Sequence, residues 1–200
     1  MNLSKGQGEL FTEEDYCKKA IITSNELSFN INEIKAWQKR IYNYQKSFLS
    51  THSIDNIQKS LFNSSKEDEM FETFNPIKLT PLPLNFWQWP NLNHQGPAIY
   101  LVMDKLKDIN SHIMLYVGET ISAEKRWKGN HDCKQYIQAY CETCQSVGLA
   151  TQTSIRFWKD VPTATKPRRA LEQKLIKRWL PPFNKETRKH WSTPFTAEIN

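Results

Sequence analysis

The chain has 200 residues, seven tryptophans and a net charge of +6, enough for one large domain or two small ones with a packed core. No run of eighteen apolar residues occurs, which excludes a helix of membrane-spanning type. The opening MNLSKGQGELFTEEDY lacks the basic-then-apolar order of a signal peptide, so a soluble cytoplasmic protein with no membrane partner is expected. The charge is uneven: residues 1–90 carry 10 Lys/Arg against 11 Asp/Glu, and residues 91–200 carry 17 against 10. A net of +7 over the second half suits a polyanionic partner, and equally suits a solvated basic surface.

In chain order, residues 1–75 read as a helical N-terminal region of unknown role. Thr12 offers an N-cap with acidic residues in the first turn. Ile31, Ile34, Trp37, Ile41, Tyr44 and Phe48 recur at three- and four-residue steps, the stripe of an amphipathic helix that buries one side. The polar run at 63–75 suits a surface connection. Residues 76–96 form a second connection, where Pro76, Pro81, Pro83 and Pro90 exclude helix and Phe86, Trp87 and Trp89 are expected under the domain that follows. Residues 97–200 form that domain. Two β-rich runs, 98–103 and 113–118, are bridged by DKLKDINSH and read as a hairpin. If Met103 faces Ile113, Tyr100 falls opposite Tyr116, two phenols side by side next to Gly118. Thr120 or Ser122 caps a helix from about Ala123, and HDCKQYIQAYCETC continues the helical pattern to Gly148. The alternation in 153–158 predicts a third strand with Ile155 and Phe157 inward. Pro167 opens a last helix, stopped by Pro181 and Pro182. Of the four cysteines, Cys17, Cys133, Cys141 and Cys144, the last three share a helix face with Ile137 and read as core rather than zinc ligands or disulfides.

AIY followed by YVG resembles the paired tyrosine tripeptides of the GIY-YIG nucleases. The resemblance continues in order: Arg126 ten residues after Tyr116, His131 shortly after, Glu172 inside RRALEQKLI, and PPFN ending in Asn184. It covers the C-terminal half and implies an α+β fold, a small antiparallel three-stranded sheet flanked by helices, here preceded by the helical N-terminal region. Ala98 stands where the family has its first glycine, and the hairpin interval is longer than in compact members.

What the resemblance implies about chemistry agrees with the residue types. Glu172, a helical carboxylate, suits one hard divalent cation, Mg²⁺ or Mn²⁺; its bland reading is a surface ion pair with Arg168 or Arg169. Arg126 offers a planar fork that matches a phosphate. Tyr100 and Tyr116 would act on the attacking water, with a nearby cation lowering phenols whose ordinary pKa is near 10. His131 takes a proton-transfer role, although the family position four residues after the arginine is Asn130 here. Asn184 orders the site by hydrogen bonds. Lys125, Lys128, Lys134, Arg168 and Arg169 would contact the nucleic acid. The expected function is a metal-dependent DNA nuclease, an endonuclease in preference to an exonuclease, in repair, restriction or the processing of unusual DNA structures. The rival is a non-catalytic nucleic-acid-binding module on the same fold. On this division a fragment beginning near Ile77 keeps every group the chemistry needs.

Overall fold

The computed structural model describes residues 30–49, 70–85, 96–122, 126–127 and 132–193. The expectations for Thr12, Cys17, the 86–89 aromatics, Lys125, Lys128, Asn130 and His131 lie outside them. Residues 1–30 and 31–200 form separate compact units, and only the second is described below.

Its elements run α1 (Ile31–Leu49), β1 (Ala98–Leu106), β2 (Ser111–Thr120), α2 (Asp132–Ser146), β3 (Thr153–Trp158) and α3 (Thr165–Trp179). The three strands form an antiparallel sheet in the order β2-β1-β3, so the fold is α+β. No described helix is long and apolar enough to cross a membrane. The hairpin strands reach further than the apolar runs. Only 107–110 remains as the turn, closed by Asn110 at φ 44°, a left-handed conformation that asparagine tolerates. α3 begins two residues before Pro167, which sits in a first turn whose N–H groups need no intrahelical partner. Leu180 at φ 44° ends that helix ahead of the two prolines.

Alternation along the strands gives the sheet two faces. On one, Ile99, Leu101, Met103, Met114, Val117 and Trp158 pack with Leu171, Leu175, Ile176 and Trp179 of α3. On the other, Tyr100, Val102 and Asp104 pair across to Phe157, Ile155 and Thr153. This face meets α2, whose Cys133, Ile137, Tyr140 and Cys144 are buried, with Cys141 only half-buried. Cys133 and Cys144 are therefore core, and the three described cysteines carry free thiols. Asp104 is also buried there. It accepts from the Tyr140 hydroxyl at 2.6 Å and the Gln152 amide at 2.6 Å, and Gln38 of α1 donates to the Tyr140 oxygen at 2.6 Å. Burial raises the Asp104 carboxyl above its ordinary pKa against those hydrogen bonds.

Helix α1 belongs to this packing rather than to a region apart. Its buried side combines Ile34, Trp37 and Ile41 with two glutamines, Gln38 and Gln45. Trp37 stacks on Phe183 at 6.2 Å, and Phe48 meets Trp179 edge-on at 5.4 Å. The described end of the segment read as a polar surface connection reaches the core: Phe74 stacks on Trp158 at 4.3 Å. Arg156, only 4% exposed, donates to the carbonyls of Pro76, Ile77 and Leu79, tying the start of the 76–96 connection to β3.

Candidate functional site

Tyr100 and Tyr116 lie on the same sheet face but are not directly opposed. Tyr100 pairs with Gly118, and Tyr116 pairs with Val102, because the register shifts between Val102 and Met103. Leu115 is the extra residue of this bulge. The phenols are thus diagonal neighbours, their rings stacked at 28° with centroids 5.9 Å apart. Gly118 seats the Tyr100 ring: a Cβ built there would stand 2.5 Å from Tyr100 Cζ. Trp127 closes the other side, edge-on to Tyr100 at 5.7 Å, with its indole N–H on the Leu84 carbonyl at 2.7 Å.

Arg126 is exposed one turn after the strand, its amide on the Ser122 carbonyl at 3.0 Å. Its guanidinium is close enough to draw the pKa of the Tyr100 hydroxyl downward, and the Tyr100 and Tyr116 hydroxyls act on each other. The charge of Glu172 acts on Tyr116 from beyond. Arg126, Tyr100, Tyr116 and Glu172 therefore lie within electrostatic reach of one another in that order.

The electrostatics differ from the expectation of a lowered phenol. Burial raises both tyrosines well above the ordinary phenol range. The Cys133 thiol adds to this in each, and in Tyr100 the Arg126 hydrogen bond and charge oppose it without prevailing. Both phenols are neutral at pH 7. Glu172 accepts from the Glu119 amide at 3.0 Å. Its carboxyl is pushed up to about 7, chiefly by burial and then by the carboxylates of Glu119 and Glu186.

Neither arginine next to Glu172 on α3 pairs with it. Arg168 Nε meets Glu119 Oε2 at 2.8 Å and Arg169 Nε meets Glu119 Oε1 at 3.0 Å. Arg168 is fully buried, and its guanidinium also holds the carbonyls of Pro162 and Thr163. It fastens α3 to β2, and burial removes it from the expected contact with nucleic acid. Arg169 is exposed. Lys134 is half-buried and turned inward, donating to the Trp127 carbonyl with its amine 5.6 Å from that ring; burial lowers its pKa. Asn184 clasps the strand itself: its Oδ1 accepts from the Val117 amide at 3.0 Å and its Nδ2 donates to the Val117 carbonyl at 2.8 Å. It orders the backbone between Tyr116 and Gly118.

Among the described residues no three of His, Cys, Asp or Glu converge into a metal cage. Glu172 nevertheless suits a hydrated divalent cation. Its carboxyl is crowded by two other carboxylates, and Mg²⁺ commonly takes one or two protein carboxylates and keeps its waters. Sequence reasoning missed Glu119, Trp127 and Gln45. Glu119 directly follows YVG, and Gln45 sits at a seam position of the α1 stripe; both signals were legible. Compared with known proteins, the chain matches no protein-family model, no curated protein and no solved structure.

Proposed function

We propose that the chain is a metal-dependent nuclease that hydrolyses DNA phosphodiester bonds at a site of the GIY-YIG kind. It would act as an endonuclease in repair, restriction or the processing of unusual DNA structures. The observation that supports this reading most is the series Arg126, Tyr100, Tyr116 and Glu172. An exposed guanidinium, two neighbouring hydroxyls and a carboxylate can serve phosphodiester hydrolysis as phosphate clamp, water-orienting groups and metal ligand.

In this mechanism Arg126 binds a non-bridging oxygen of the scissile phosphate through its fork. Tyr116, the more accessible of the two phenols, accepts a hydrogen bond from the attacking water and orients it. Since both phenols are neutral, the pair positions the water by hydrogen bonds rather than serving as a standing phenolate base. Glu172 would hold the cation, which when bound polarises a phosphoryl oxygen and steadies the departing one. Arg168 and Arg169 make their ion pairs with Glu119, which leaves the Glu172 carboxylate for that task.

The test is incubation with duplex, nicked, branched, mismatched and single-stranded DNA, with and without Mg²⁺. Cleavage is expected only with metal, and Glu172→Ala is expected to lower its rate by about a thousandfold or more while DNA affinity stays near wild type. Glu172→Ala cutting at the wild-type rate would refute the site. Binding without cleavage of any substrate would favour the non-catalytic module.

A further inference from the structure

Carried outward without interruption, the register at the hairpin end, where Asp104 pairs with Ile113 and Met103 with Met114, would set Tyr100 against Val117 and Tyr116 against Leu101. A one-residue slip sends a side chain to the other face of a sheet. Tyr116 would then join Leu101 on the face packed against α3, with Tyr100 on the opposite face. The extra residue at Leu115 restores the common face on which the rings stack. The tyrosine pair exists because of that bulge.

A bulge at a sheet edge leaves backbone groups without ladder partners, and here side chains take them. Gln45 of α1, fully buried, accepts from the Met114 amide at 2.7 Å and donates to the Met114 carbonyl at 3.0 Å and the Trp179 carbonyl at 2.9 Å. The Phe183 amide donates to the Leu115 carbonyl at 3.0 Å, and Asn184 takes Val117 on the far side. The Gln45 amide thus accepts once and donates twice: two of the bonds hold Met114 at the start of the bulge, and the third ties α1 to α3.

We propose that Gln45 is a positioning residue: by gripping Met114 it fixes the bulge at Leu115 that brings Tyr116 onto the face of Tyr100. The inference takes the tyrosine pair as site groups, as in the function proposed above, but its geometry can be tested without cleavage. A helix lying before every motif residue would then set the geometry of the site.

The variant is Gln45→Met, close in volume and unable to make these bonds. Two-dimensional NMR reads the through-space cross-peak between the Tyr100 and Tyr116 ring protons and the exchange rate of the Met114 amide. In wild type the cross-peak is expected and the Met114 amide is protected. In folded Gln45→Met the cross-peak disappears, Met114 exchange rises, and kcat for cleavage falls by about a hundredfold with KM for DNA unchanged, as for a misplacement of about 1 Å. A cross-peak that persists in the folded variant overturns the proposal, as does an unprotected wild-type Met114 amide. If Gln45→Met does not fold, wild type in sub-denaturing urea decides. Simultaneous disappearance of the cross-peak and of Met114 protection supports the clamp; disappearance of the cross-peak while Met114 stays protected overturns it. If wild type cuts no substrate, the nuclease reading fails while the ring and exchange readouts still judge the clamp.

Discussion

Glu172 sits where stability and chemistry oppose each other. Its folded pKa of about 7 lies above the ordinary 4.5, so the folded chain disfavours the ionised form. The associated stability is present below the ordinary value and is lost as pH rises through about 7. Glu172→Gln keeps an acceptor for the Glu119 amide and cannot ionise. It should melt a few degrees above wild type at about pH 8, with the gap closing at about pH 4. A thermal melt at the two pH values checks this, and an equal gap at both would remove the account of Glu172 as a strained carboxylate. Gly118 is the second residue whose identity is dictated locally. A methyl group there would stand 2.5 Å from the Tyr100 Cζ and hydroxyl oxygen, and the ring is held between Tyr116 and Trp127. Gly118→Ala should destabilise by about 1–3 kcal/mol, as overpacking does, measurable by denaturant titration.

Among the elements, α1, α2 and β1 are joined through one buried hydroxyl. Tyr140→Phe removes the donor to Asp104 and the acceptor for Gln38. It should cost about 1–3 kcal/mol, the scale of leaving buried polar groups unpaired, and a cost below the error of a urea titration would contradict that network. Much of this layer was legible in the sequence. Alternation marked β3 to the residue, and the Cys133–Ile137–Cys144 face marked the buried side of α2. The bulge was not legible, because Ile113, Met114, Leu115, Tyr116 and Val117 form an unbroken apolar run in which one extra residue leaves no mark on the pattern. The partner of Arg168 was equally hidden: nearest-neighbour logic on a helix suggests Glu172, whereas the ion pair is made across to the strand at Glu119. That Tyr100 and Tyr116 are neighbours followed from the two tripeptides; their protonation did not, since burial is a property of the packed chain.

For the whole molecule, the fragment beginning near Ile77 should fail to fold. It lacks Gln45 on Met114, Trp37 on Phe183 and Phe48 on Trp179, and it would expose part of the core. Expression of residues 77–200 should give insoluble or molten protein, while residues 31–200, the compact unit, should give a cooperative melt; a sharp melt from the shorter piece would contradict the role of α1 in the fold. Binding to DNA, if the proposed function holds, should weaken steeply as salt rises, and a flat dependence in a titration series would argue against phosphate contacts. The borders of the sheet have a consequence of their own. At Met114, Leu115, Val117 and Glu119 the outer side of β2 is already taken by Gln45, Phe183, Asn184 and Glu172. The outer side of β3 bonds Leu82 in both directions at Ile155. Open strand borders are the usual template for fibre growth and for recruiting a foreign strand. At these positions the molecule resembles a tile whose rims are already grouted, closed to the addition of a further strand.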